Sequence, residues 1–235
     1  MLGQMLINGI MLGSTYALMA LGLNLIFGIM GILNFAHGQM YMLGTFVVYY
    51  IYGIYGSSYI LSLVLAVIIL MIIGIFFERY LYRRVINYAK RGDVIMLLSM
   101  GTALLLENFG LLFFGEKSRG VSPLIGVVYK IFNVYLPAQR LLIFLISILI
   151  IIIFLILMQY TKKGRALRAL AQDKEATYLQ GVNVNKLSMI GFGLGASLAG
   201  ISGAILALIY PIYSGSGSAM TIKAFVMIMI GGAGV

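Results

Sequence analysis

His37 is the only histidine in the chain, and it stands in the segment Asn34-Phe35-Ala36-His37-Gly38-Gln39. Three hydrogen-bonding side chains within six residues can serve two purposes. They can line or gate a polar path, or they can tie together a tightly packed turn. The flanking Gly31 and Gly38 permit the irregular or close-packed backbone that either use needs. Glu107 and Asn108 form a second polar pair inside an apolar run. They read either as functional groups at membrane depth or as groups near an interface, about two turns before Gly115. Asn34, His37, Gln39, Glu107 and Asn108 are thus the candidates for a pathway or gate.

Other chemistry is excluded by the residues themselves. The chain has no Cys and a single His. A thiol nucleophile, a disulfide and a multi-histidine metal site are therefore unavailable within it. The segment Gly110-x-x-x-x-Gly115-Glu116-Lys117-Ser118 resembles a phosphate-binding loop, but Glu116 separates the glycine from the lysine and would repel phosphate. An apolar helix, not a strand, precedes it. The chain is not expected to bind ATP, hold a cofactor or metal, or carry catalytic residues.

These side chains must be positioned in lipid. No Lys, Arg, Asp or Glu occurs before Glu78, whereas about a quarter of an average soluble chain is charged. The apolar runs Ile60–Phe77 and Leu141–Met158 are continuous, not alternating, so they predict helices and not a barrel. Nothing resembles a signal peptide, because a basic start is missing and the apolar character continues past one segment. The pattern predicts an all-α, polytopic helical bundle with helices near 4–27, 34–54, 58–77, 94–114, 140–159 and 187–209. A further span starting near Thr221 is interrupted at Val235, which predicts a single membrane domain over 1–235, truncated at its C-terminus. Small residues at four-residue spacing predict helix packing along Gly9, Gly13 and Ala17. A second such ridge comprises Gly195, Ala199, Gly203 and Ala207, with Ala196 and Gly200 beside it.

Net charge is +10, but its placement argues against nucleic acid. The bases cluster in two short connections, Arg79, Arg83, Arg84, Lys90 and Arg91 in one, and Lys162, Lys163, Arg165, Arg168, Lys174 and Lys186 in the other. By the positive-inside rule both connections face the cytoplasm. The N-terminus and residues 115–139 then lie outside. Pro123 and Pro137 bound a stretch (Val127–Leu136, with Tyr129, Phe132 and Tyr135) expected to form an interfacial helix or ribbon. In the second basic connection, Leu167, Leu170 and Ala171 share one helical face, and Arg165, Arg168, Gln172 and Glu175 lie on others. Such an amphipathic helix can lie on anionic lipid or dock into a soluble partner. The acids Asp173 and Glu175 among the bases argue against a pure lipid anchor.

That connection carries a family resemblance. Gly164-Arg165-Ala166-x-Arg168-Ala169-x-Ala171-x-Asp173, followed by Gly181-x-Asn183, resembles the cytoplasmic coupling loop of the branched-chain amino acid ABC transporter permeases. Gly9-x-x-x-Gly13-Ser14-x-Tyr16-Ala17-Leu18, Gly31-x-x-Asn34-Phe35-Ala36-His37-Gly38, Gly195-x-x-Leu198-Ala199-Gly200-x-x-Gly203 and Gly231-Gly232-x-Gly234 resemble further motifs of that family, in the same order. The resemblance implies a permease subunit in the inner or plasma membrane of a prokaryote. It implies as partners a second permease subunit, cytosolic ATP-binding subunits that hydrolyse ATP, and an extracytoplasmic substrate-binding protein. Residues 160–186 would be the coupling loop, with Gly164, Arg165, Arg168, Ala169, Asp173, Gly181 and Asn183 as its ATPase-coupling residues. Ala166, Ala169 and Ala171 would supply a small docking face there. Close relatives import urea or short amides, and a secondary transporter driven by an ion gradient is the alternative from another class.

Overall fold

Each stretch read as a span becomes a helix, but the helices differ in what surrounds them. A computed structural model describes residues 2–31, 33–89, 92–131 and 134–232, without the side chains of Ala89, Ile131 and Val134. Expectations resting on Lys90, Arg91, Phe132 and Gly234 fall outside these residues. The helices are α1 (Leu2–Met30), α2 (His37–Val48), α3 (Tyr59–Phe77), α4 (Arg83–Ala89), α5 (Gly92–Phe114), α6 (Ala138–Tyr160), α7 (Lys162–Gln172), α8 (Lys174–Leu179), α9 (Val184–Leu206) and α10 (Ser216–Gly231). Two π-helical stretches, Tyr49–Ile54 and Glu78–Tyr82, prolong α2 and α3.

Among the described residues five helical stretches are long and apolar enough to cross a membrane: Leu2–Met30, Tyr59–Tyr88, Gly92–Phe114, Ala138–Tyr160 and Val184–Leu206. The expected second span is instead a buried helix that starts only at His37. The last helix, α10, starts at Ser216, earlier than Thr221, and is a shorter apolar helix. The expected connection after residue 77 is mostly helical, since α3 runs on through Glu78–Tyr82 into α4. At about 1.5 Å per residue this continuous helix exceeds the ~30 Å hydrocarbon core, so one end projects beyond it.

The centre of the bundle is α9, which packs against α1, α2 and α3. It is buried on nearly all faces, and its small residues explain how. A Cβ on Gly195 would lie 2.7 Å from the Gly22 carbonyl oxygen of α1, and one on Gly203 would overlap the Tyr41 carbonyl of α2. On α3, a Cβ on Gly74 would meet Ala196 Cβ at 2.7 Å, and a Cβ on Gly200 would meet Leu70 Cγ at 2.5 Å. Ala199 is fully buried. Close approach of this kind replaces the hydrophobic effect as the source of helix association in lipid. By contrast α6 carries Leu145, Leu149, Ile152 and Ile153 on an exposed face, as a helix bordering acyl chains should.

The first small-residue ridge behaves differently. Among the described residues, no neighbouring element brings a heavy atom within 4 Å of a Cβ built on Gly9 or Gly13. The expected packing role of Gly9 and Gly13 is therefore not met inside this chain. This end of α1 leaves Leu2, Met5, Leu6 and Ile10 exposed, while Gln4 and Asn8 bond to Tyr135 and Arg140.

The ends of the bundle sort as the charges predict. Within residues 115–139, β1 (Val128–Ile131) pairs antiparallel with β2 (Val134–Pro137) as a ribbon. The Tyr135 amide and carbonyl bond to Gln4 at 2.8 and 2.9 Å, and Arg119 bridges Ile212, so the N-terminus, the ribbon loop and the α9–α10 connection share one end. Arg119 is held there by the Phe114 carbonyl and stacks 5.0 Å over Tyr49. At the opposite end Arg83 pairs with Glu78 and donates to the Asn185 carbonyl at 2.8 Å. Both basic connections therefore lie together.

Candidate functional site

The turn between α1 and α2 returns the chain into the bundle. Gly31 closes α1 with φ +69°, a left-handed conformation that suits glycine, and its amide donates to the Phe27 carbonyl at 2.7 Å. Four bonds then shape the turn. Asn34 Oδ1 accepts from the Ala36 amide at 3.0 Å and from the Tyr82 hydroxyl at 2.9 Å. The Phe35 amide donates to Ser99 Oγ at 3.1 Å, and the Ala36 carbonyl accepts from the Gln39 amide at 3.1 Å.

His37 is fully buried, with Nε2 at 3.1 Å from the Met19 carbonyl of α1. A carbonyl only accepts, so Nε2 carries the proton and Nδ1 is left as an acceptor. Met19 lies 11 residues before the end of α1, about 16 Å along its axis. The imidazole thus sits deep in the bundle, not at its rim.

The start of α10 meets the start of α2 at this depth. A Cβ on Gly38 would overlap the Gly217 carbonyl, and one on Gly217 would come within 2.6 Å of the Gly38 carbonyl oxygen. Here both glycines are required by contact. Thr221 Oγ1 accepts from the Gly38 amide at 3.1 Å. Gln39 Nε2 donates to Glu107 Oε2 and to Ser218 Oγ, both at 3.2 Å, and the Ser218 hydroxyl donates to Glu107 Oε2 at 2.6 Å. Among the described residues, four buried polar side-chain atoms at this junction have no hydrogen-bond partner: Asn34 Nδ2, His37 Nδ1, Gln39 Oε1 and Ser216 Oγ. Buried polar groups are normally paired, so this cluster sets the junction apart from the rest of the bundle.

The structure therefore brings together Asn34, His37, Gln39 and Glu107 around one turn. Asn108 is not part of it; it is exposed and donates to the Leu104 carbonyl of its own helix at 2.7 Å. Glu107 touches α2 and α10 through Gln39 and Ser218. Sequence reasoning missed Tyr82, Ser99, Ser216, Ser218 and Thr221. The run Ser214-Gly-Ser-Gly-Ser218 was the available signal, since small polar residues there interrupt the apolar pattern.

At the other end, residues 161–186 form a chain of capped helices. Thr161 Oγ1 accepts from the Gly164 amide, Asp173 Oδ1 from the Glu175 and Ala176 amides, and Asn183 Oδ1 from the Lys186 amide, each at 2.9 or 3.0 Å. Gly181 adopts φ +79°, and a Cβ on Gly164 would overlap the Leu157 carbonyl. Gly164, Asp173, Gly181 and Asn183 thus shape the segment. Leu167 and Leu170 are buried against Val184 and Leu187. The small face predicted from Ala166, Ala169 and Ala171 does not form, because Ala171 packs on α1, 3.1 Å from where a Gly28 Cβ would lie. What faces outward is Arg165, Arg168 and Ala169, together with Tyr178 and Leu179 of α8. Those last two were not anticipated.

Comparison with known proteins agrees with this organisation. The family described as branched-chain amino acid transport system, permease component, matches residues 5–235. The chain is similar to the high-affinity branched-chain amino acid transport system permease protein LivH of Salmonella typhimurium (31% identity, 98% of this chain, 79% of the relative). It is similar to LivH of Escherichia coli K12 and to BraD of Pseudomonas aeruginosa, each at 30% identity over the same shares. No solved structure matches it. A multi-pass helical bundle whose match to this family extends over nearly its whole length belongs to the permease component family of the branched-chain amino acid transport systems.

Proposed function

We propose that this chain is a membrane-spanning subunit of an ATP-driven importer for branched-chain amino acids. It works with a second permease subunit, cytosolic ATP-binding subunits and an extracytoplasmic substrate-binding protein. The chain contributes the pathway and its switching and performs no catalysis. The observation that carries this reading is the pairing of two features on one family-matched bundle. One is the polar junction of α2, α5 and α10 within the bundle. The other is the segment 161–186, whose outward side chains are free for a partner. Arg83 lies between the ends of that segment and α3, bonding Glu78 and the Asn185 carbonyl. A displacement of the segment would be passed to α3 and to the start of α9, which packs on α2. Arg165, Arg168 and Ala169 are the ATPase-coupling residues in this proposal, and Asn34, His37, Gln39 and Glu107 belong to the path.

The test is co-purification with uptake. Expressed with its partner subunits, the chain should retain the ATP-binding subunits, and proteoliposomes should accumulate L-leucine only with ATP inside and binding protein outside. Accumulation of urea or a short amide in place of leucine would move the substrate class. Uptake driven by an ion gradient without ATP would replace the importer with a secondary transporter.

A further inference from the structure

Glu107 is a carboxylate in a place that does not favour one. It lies on α5 eight residues before Gly115, about 12 Å from that end of the helix. It is only half-buried, and Leu104, Leu105 and Phe109 around it are exposed apolar side chains. Its hydrogen-bond donors, Ser218 and Gln39, are both neutral. Among the described residues no Lys or Arg lies within ion-pairing distance of it. A charge left facing acyl chains would be costly, and such residues normally face a cavity or a counter-charge.

The surroundings are built for a polar guest. Gly215, the residue before α10, offers no side-chain cap, and a Cβ on it would lie 3.7 Å from Glu107 Oε1. Gln39, whose Nε2 holds the same carboxylate, has a buried Oε1 that accepts no hydrogen bond among the described residues. A carboxylate held only by neutral donors, next to an amide oxygen that accepts no hydrogen, fits a ligand that donates several N–H bonds and carries positive charge.

We infer that the face of the α2–α5–α10 junction around Glu107 borders a water-filled path, and that Glu107 pairs there with the α-ammonium group of a passing amino acid. Gln39 Oε1 accepts a second ammonium hydrogen. The inference rests on the proposed transport function and sharpens it, because urea and simple amides carry no ammonium and gain nothing from a carboxylate.

The experiment uses the complete importer in proteoliposomes, supplied with binding protein and L-leucine. Glu107→Gln keeps the size of the side chain and an acceptor for Ser218 but removes the charge. It should lower L-leucine uptake about tenfold or more, the loss expected when a charge-assisted bond is removed, with the ATP-binding subunits retained. Glu107→Asp should keep a substantial part of the uptake. Ser218→Cys in this cysteine-free chain should react with a membrane-impermeant thiol reagent, and more slowly during L-leucine transport. An introduced thiol that stays unreactive from both aqueous sides, or unaltered uptake by Glu107→Gln, would overturn the ammonium site and leave the transport function standing. Failure of the unaltered importer to take up L-leucine would instead overturn the function on which it rests.

Discussion

Gly203→Ala adds a single methyl group at the point where α9 crosses α2. The new Cβ would overlap the Tyr41 carbonyl oxygen and sit 2.9 and 3.1 Å from Tyr41 C and Cα, where ordinary contact begins at 3.4 Å. The opposing atoms are backbone, so no rotamer change relieves them. The helices must separate by about 1 Å, and a gap of that size already forfeits a quarter to a half of each contact along the seam. Overpacking in a tight core costs about 1–3 kcal/mol, and a backbone clash belongs at the upper end. For a chain of this length ~3 kcal/mol corresponds to roughly 6–12 °C in apparent Tm. Gly13→Ala is the matched control. It belongs to the other small-residue ridge, yet nothing lies within 4 Å of its Cβ, so its shift should stay within roughly 2 °C, the scale of a surface substitution of ~0.5 kcal/mol. Thermal unfolding of the detergent-purified chain, followed by circular dichroism, measures both. Equal melting of Gly203→Ala and the unaltered protein would refute the packing argument, as would an equal loss in Gly13→Ala.

Three further expectations concern the candidate sites and topology. His37→Ala removes the bond to Met19 at the α1–α2 turn and should impair L-leucine uptake by the assembled importer more than it impairs assembly; normal uptake with normal assembly would leave His37 as packing only. Ala169→Trp and Arg168→Glu alter exposed positions of α7, so both should reduce retention of the ATP-binding subunits and abolish uptake while membrane insertion is unchanged; if retention and uptake persist in both variants, residues 164–186 are not the coupling segment. Ser122→Cys, on the exposed loop beside the ribbon, should be labelled by an impermeant thiol reagent from outside intact cells, and labelling confined to the cytoplasmic side would reverse the topology.

The candidate site was half legible. Asn34, His37, Gln39 and Glu107 stood out because a polar side chain in an apolar run is conspicuous wherever it ends up. Their partners did not. Gln39 meets Glu107 across 68 residues and Ser218 across 179, and no local pattern encodes such distances. Asn108 carried the same signal as Glu107, but one step around a helix turns a side chain by about 100°, here from the junction to the exposed side. Asp173 and Asn183, expected among the ATPase-coupling residues, each accept from amides at a helix start, so a polar side chain there also has a local use.

The membrane, the helices and the two ends of the bundle were determined by the sequence alone. Lipid cannot satisfy a backbone amide, so a long charge-free apolar run has to form a helix wherever it lies, and the placement of bases orients it. These are local consequences of side-chain chemistry. Which helix lies at the centre was decided by tertiary structure. Both small-residue ridges have the same spacing, yet Gly195, Gly200 and Gly203 are in close contact with neighbouring helices while Gly9 and Gly13 face open space. A glycine permits close approach without specifying a partner, and only the path of the whole chain brings Gly22, Leu70 and Tyr41 against α9. The same path sets the start of α10 against the start of α2, bringing the Glu107 carboxylate and the buried, unpaired Gln39 Oε1 together inside the bundle.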